Sequence, residues 1–450
     1  MAASARARAA GPRGSVTTPK PRPWIPPAGL LAGGVAHGVS WVLLFVLAVQ
    51  GRATLSLPAL AWLHLVALGW LTLIALSVLI HVIPTFTGIP LRAAQTARGA
   101  LAVYAVAVAV LVAAFWNGAV ALLPWATLLV VLALLVYLIP AARTLGVALR
   151  RGVLEAAIAR ALAVTLSFLA LAALLGATLG WALAGRLPVA LLGAGPHVHA
   201  ALGLIGWLTI LVMGVSTRTI GPIAGAGSRV RSIHIVVGSL QFLGVTALAL
   251  GFAVALPAVV LLGIAAAVLG SLAYAANLFD VLRRATVPHR PPQAFLAAAA
   301  AWLLVGAAMV VATLAGASWG AAAIYVVLVG WVGQMVNGHL YHIGTRLIAT
   351  MAGGDEDETR PGKLLTAPLS WASFALFQAA VGAGCIALVT SLGPLLAGAA
   401  LCGLAAWIVM AANLALANRR ARAAARLASG VARRLPRAAH AFLGEDFLEM

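Results

Sequence analysis

The sequence predicts an all-α, polytopic membrane protein of about twelve transmembrane helices, and three observations carry that prediction. Of 450 residues, 63% are hydrophobic and 8% are charged, whereas a soluble domain carries about 25% charged residues. Such a chain cannot cover a water-facing surface. Its apolar residues fall in segments long enough to cross a bilayer, which takes roughly 20 residues each. Its basic residues fall almost wholly on one side of the topology that results.

Taken in order, the segments are 29–50, 57–83, 99–115, 117–139, 161–183, 196–220, 232–253, 255–279, 293–314, 319–344, 368–391 and 394–417. The connections between segments 3 and 4, and between 11 and 12, are very short. With the N-terminus cytoplasmic, 26 of the 29 Lys and Arg residues lie on the inner side. Arg52 and Arg186 fall outside, and Arg218 lies near the end of segment 6. That asymmetry is the positive-inside rule. It predicts a multi-pass protein of the cell inner (plasma) membrane with both termini cytoplasmic. An odd number of helices would spoil the alternation. The net charge of +20 therefore reports topology; no aromatic residues interleave the arginines of the tails, so nucleic acid is not expected as a partner. The bilayer is.

Three regions follow. Residues 1–28, rich in Arg, Ala and Pro, read as a disordered cytoplasmic tail without the pattern of a cleaved signal. Residues 29–417 form the transmembrane domain. Residues 418–450 form a second basic cytoplasmic tail, of which 418–440 suits a helix lying on anionic headgroups. Asp355, Glu356, Asp357 and Glu358 read as a solvated run in the longest inner loop. Cys385 and Cys402 lie in segments 11 and 12 without CxxC spacing, so neither a disulfide framework nor a thiolate metal site is expected.

A repeat runs through the segments. Gly69-Trp70-Leu71-Thr72 in segment 2 recurs as Gly206-Trp207-Leu208-Thr209 in segment 6, and Gly330-Trp331 appears in segment 10. Each separation is four helices long, so the spacing predicts three pseudo-symmetric four-helix units. Alignment on the tryptophans puts His81, Arg218 and His342 at one shared position, eleven residues further on.

The histidines carry what chemistry there is. Eight of ten lie in or at the ends of segments: His37, His64, His81, His197, His199, His234, His339 and His342. Polar rings in a bilayer face the bundle interior and a partner, yet none of the nine acidic residues lies deep in a segment. Imidazoles without buried carboxylates suit metal or haem iron, for which the neutral ring is the ligand. Depth sorts them into two clusters. His64, His197 and His199 lie toward the outer side; His81, His339, His342 and His234 lie toward the inner side. At about 100° per residue, His339 and His342 share a face, whereas His197 and His199 point roughly opposite ways.

Segment 2 reads His64-Leu-Val-Ala-Leu-Gly-Trp70 and ends Pro84-Thr-Phe-Thr-Gly88; segment 6 runs from His199-Ala through Gly206-Trp207 to Val212-Met213 and Thr217-Arg218. Both resemble the NnrS family, which is in turn similar to subunit I of the haem–copper oxidases and nitric oxide reductases. The resemblance implies twelve helices in pseudo-threefold array, haem and possibly copper as cofactors, and a role in respiration or nitric oxide metabolism. It carries ligand roles onto His64, His199 and one or both of His339 and His342. The match covers segments 2 and 6. Segment 10 departs from it, with His339-x-x-His342 late in the helix, and segment 7 has His234 alone. The helix 6 tyrosine that assists oxygen chemistry has no counterpart here, and no buried acid serves a proton channel. Oxygen reduction and proton pumping are therefore not expected.

The expected function is that of a haem-binding, possibly copper-binding, membrane protein in respiratory electron transfer or nitric oxide metabolism. Its expected partner is an electron-donor protein or another respiratory subunit. His64 and His199 are the expected outer ligands, on resemblance and shared depth. His81 and His342 are the expected inner ones, on the aligned repeat. A transporter of a metal or small molecule using the same histidines, and a non-catalytic subunit of a respiratory complex, are the alternatives.

Overall fold

A computed structural model describes residues 27–52, 56–151, 153–230, 232–288, 290–352 and 361–434. The N-terminal tail, the acidic run at 355–358 and the end of the C-terminal tail lie outside the described residues. Twelve helices are long and apolar enough to cross a membrane, and no strand occurs among the described residues. They are α1 (Ala28–Val49), α2 (Leu57–Thr87), α3 (Ala94–Trp116), α4 (Val120–Ala148), α5 (Ala159–Leu183) and α6 (Leu191–Ala224). The second half comprises α7 (Ile233–Ala253), α8 (Pro257–Arg283), α9 (Arg290–Leu314), α10 (Gly320–Ala352), α11 (Ala367–Thr390) and α12 (Gly393–Arg426). The end where the chain enters α1 and leaves α12 is the Arg-rich end.

The even-numbered helices are longer than the apolar runs suggest, and most of the excess is at the Arg-rich end. The helix of α12 runs unbroken from Gly393 to Arg434, 42 residues. The basic stretch after 417 thus continues the last span, and Arg420 ties it to the Leu364 carbonyl at 2.8 Å. Two αL glycines stop α2 and α6 at equivalent points, eighteen residues beyond the repeated tryptophan. Gly88 (φ 66°) donates to the Pro84 carbonyl at 2.9 Å, and Gly225 (φ 69°) to the Gly221 carbonyl at 2.7 Å. Glycine adopts that conformation without a Cβ penalty.

Consecutive helices pack side by side, and α12 closes the ring against α1. The Gly-Trp motifs organise the middle. A Cβ on Gly69 would come within 3.2 Å of Ala36 on α1, one on Gly206 within 2.7 Å of Phe168 on α5, and one on Gly330 within 3.1 Å of Trp302 on α9. In every unit the glycine lets the second helix close on the first. The tryptophan turns instead to the preceding inner helix. Trp207 Nε1 donates to Thr72 Oγ1 (2.8 Å) and Trp331 Nε1 to Thr209 Oγ1 (3.3 Å). The third step is made without a hydrogen bond: Gly333 stands where a threonine would, and a Cβ there would come within 2.8 Å of Trp70 Cη2. The buried Trp70 N–H has no hydrogen-bond partner among the described residues, and His37 covers its ring face at 3.5 Å and 4°. An unpaired buried donor costs about 1–3 kcal/mol, which a close ring stack offsets only in part.

Each of the three inner helices is a π-helix over the turns that lead to this ring: Leu65–Thr72, Ala201–Thr209 and Val326–Gly333. The π-turn inserts one residue into the ladder and is frequent at functional sites. Tyr104 of α3 donates to the Leu68 carbonyl inside the first of them at 3.3 Å. Toward the Arg-rich end from the ring, α2, α6 and α10 enclose an axial cavity of about 120 Å³. Ile74, Leu211 and Met335 line it four residues after each tryptophan, and Val78, Val215 and His339 eight residues after.

Candidate functional site

His64 enters the site from α2, one residue before the π segment begins, and His199 enters from α6, two residues before its own. Their ring centroids are 6.2 Å apart and their planes lie within 23°. Nδ1 of His64 lies 2.8 Å from the Leu60 carbonyl, and Nδ1 of His199 lies 2.9 Å from the Ala172 carbonyl on α5. A carbonyl only accepts, so both Nδ1 atoms carry the proton and both Nε2 atoms carry a lone pair. No hydrogen bond reaches either Nε2 among the described residues.

Neighbours hold the two rings in place. Phe115 of α3 stacks on His64 at 5.1 Å. On α5, Gly176 makes room for the other ring: a Cβ there would sit 2.9 Å from His199 Cε1. Metal-ligating histidines commonly have their second nitrogen fixed by a carbonyl in this way. Neutral imidazole is a donor that a copper ion or the iron of a haem takes.

The other candidates are dispersed. His197 points away from His199, as the helical turn requires, into a cavity between α6, α7, α8, α9 and α10, with Phe252 at 5.0 Å. His81 bonds within its own helix, with Thr85 Oγ1 3.3 Å from its Nε2. His339 lines the axial cavity, donates from Nδ1 to the Met335 carbonyl (2.7 Å), and its Nε2 takes the Thr219 hydroxyl at 2.7 Å. His342 is buried on the same helix and does not line that cavity. His234 has Ser228 Oγ at 3.5 Å. No ring contact joins His81 to His342, and no group of three His, Cys, Asp or Glu side chains is placed to share one ion, among the described residues. Of the inner candidates, none is arranged like the outer pair. The buried His37, stacked on Trp70, has a structural part that spacing alone did not single out, because it lies outside the repeated Gly-Trp motif.

The threefold arrangement divides the bundle into three equivalent compartments, and the side chains fill them differently. Between α2 and α6 lies the His64–His199 pair with Phe115. Between α10 and α2 the space is filled by aromatic rings: Trp41 against Gly403, Phe377 at 6.0 Å from Trp41, and Trp407 bonded to the Gly34 carbonyl at 2.8 Å. Between α6 and α10 it is open, with a cavity of about 440 Å³. Fold and site together define a polytopic α-helical membrane protein with a half-buried, pre-oriented pair of imidazoles. No family model matches the chain, and no curated protein matches it.

Proposed function

We propose that this chain is a redox metalloprotein of the plasma membrane, in which His64 and His199 hold one haem iron or copper ion near the outer face. The single observation that carries the reading is the pair itself: two facing imidazoles 6.2 Å apart, each with Nδ1 committed to a carbonyl. Neutral imidazoles without a carboxylate partner are ligands for a soft or borderline metal more readily than groups of a proton relay. The resemblance of α2 and α6 to the NnrS family supports the same assignment, and with it a role in respiratory electron transfer or nitric oxide metabolism. The Arg-rich end is the cytoplasmic one on this reading, by the positive-inside rule, so the pair faces the outer half of the bilayer.

The test is expression with haem and copper available, followed by metal analysis and a reduced-minus-oxidised spectrum. His64→Ala and His199→Ala are each expected to lose the bound metal, while His81→Ala and His342→Ala retain it. A Soret band that disappears with the metal assigns haem; copper without a Soret band assigns the bare ion. A wild-type protein that is colourless and free of both metals would overturn the reading and leave transport as the function to examine.

A further inference from the structure

The open compartment has the make-up of a binding site in its own right. Its volume of about 440 Å³ lies within the range of small-molecule and cofactor sites, roughly 300–1,000 Å³. No charged side chain lines it, and most of its wall is Leu, Ile, Val and Ala. Ions and sugars are excluded on that ground, and the space is far larger than a diatomic gas needs. Polar groups occur at two levels only. At the end opposite the Arg-rich one, His197 lies beside the Phe252 ring, and Thr313 on α9 has its hydroxyl committed to the Met309 carbonyl at 2.8 Å. Deeper, Gln241 donates to Ser271 Oγ (3.1 Å) and to the Ala267 carbonyl (3.0 Å), close to Thr209. The compartment between α10 and α2 is filled by aromatic side chains, so the repeat does not require this one to be open.

We propose that this chamber binds a membrane quinone, its ring beside Phe252 and a ring oxygen hydrogen-bonded to the His197 imidazole. An uncharged, flat, lipophilic ring with exchangeable hydrogen-bonding oxygens matches an apolar wall, one aromatic face and one imidazole. The choice of a quinone over other flat lipophiles rests on the redox reading above. His197 and His199 stand two residues apart on opposite faces of α6, so the chamber and the paired-imidazole site share one helix wall.

The experiment is equilibrium dialysis of decylubiquinone against the purified full chain, stripped of endogenous quinone and reconstituted in nanodiscs. Wild type is expected to bind one quinone per chain. Ala307→Trp, which fills the chamber from α9, is expected to weaken binding by about tenfold or more, the scale of a blocked apolar pocket. Ala307→Leu, a smaller filler, and His197→Leu are expected to weaken it less, with helicity, melting temperature and metal content unchanged. Absence of binding by wild type overturns the proposal, and so does wild-type affinity in a folded Ala307→Trp protein. Retention of an acyl lipid that decylubiquinone does not displace has the same consequence. Dialysis needs no metal, so the two assignments fail separately. A metal-free protein that binds quinone sinks the metal assignment alone; a metal-loaded one that does not sinks this proposal alone.

Discussion

At the residue scale, the paired imidazoles owe their arrangement to backbone acceptors and to one small residue. The Leu60 and Ala172 carbonyls orient the rings, and Gly176 gives His199 its place. The pairing was legible in the sequence, because His64 and His199 lie at the same depth on helices of one repeat. The opposite direction of His197 followed from the 3.6-residue turn. What spacing did not reveal is which nitrogen each ring has free, since that depends on carbonyls of the same or a neighbouring helix. His339 shows the consequence: its depth suggested a ligand, yet Thr219 occupies its Nε2. The central ring makes the prediction that belongs to this scale. Thr72→Val leaves the buried Trp207 N–H without an acceptor and is expected to cost about 1–3 kcal/mol. Thermal melts in detergent should show a lower midpoint for Thr72→Val than for wild type. An unchanged midpoint would mean that water reaches the indole and the ring of bonds is not a stabilising feature.

At the element scale, the apolar runs located every helix but not its full length or its winding. Several helices continue past the lipid-length run because Arg, Thr and Pro residues at the Arg-rich end keep helical backbone while ceasing to be apolar. The short connection between α3 and α4 was resolved by Asn117-Gly118, where Gly118 takes φ 65°. The π segments left no trace in the sequence pattern, because a helix that is apolar on all sides has no polar face from which to read a slipped register. Their placement matters for the site. Deleting Ala67 should convert the first π segment to regular α-helix and remove the widened turn between His64 and Trp70. The expected result is a protein still inserted with twelve spans that has lost its bound metal. Full metal content in that deletion variant would show that the π-turn is not what aims His64.

At the scale of the whole molecule, the repeat was legible from four residues, Gly-Trp-Leu-Thr, and the structure supplies its physical meaning. The glycine closes on the first helix of its own unit, and the tryptophan reaches the threonine of the preceding one. In segment 10 only Gly330-Trp331 of the motif is legible, and the break at Gly333 and its partial cover by His37 emerge from the packing. Orientation is the prediction that belongs here. Reporter fusions after residues 90, 150, 225, 287 and 430 should read cytoplasmic, and fusions near 54, 188 and 316 should read the outer side. A fusion near 188 that reads cytoplasmic would invert the topology and place the imidazole pair on the inner half of the bilayer.

The central claim is that His64 and His199 bind the same metal atom. X-ray absorption at the iron and copper edges of the purified protein tests it most directly. The account predicts two imidazole nitrogens at about 2.0 Å from one metal, seen as ring scattering that falls by half in any metal retained by His64→Ala or His199→Ala and is absent from the double variant. Imidazole scattering unchanged in the double variant, or a metal held without imidazole, would contradict it.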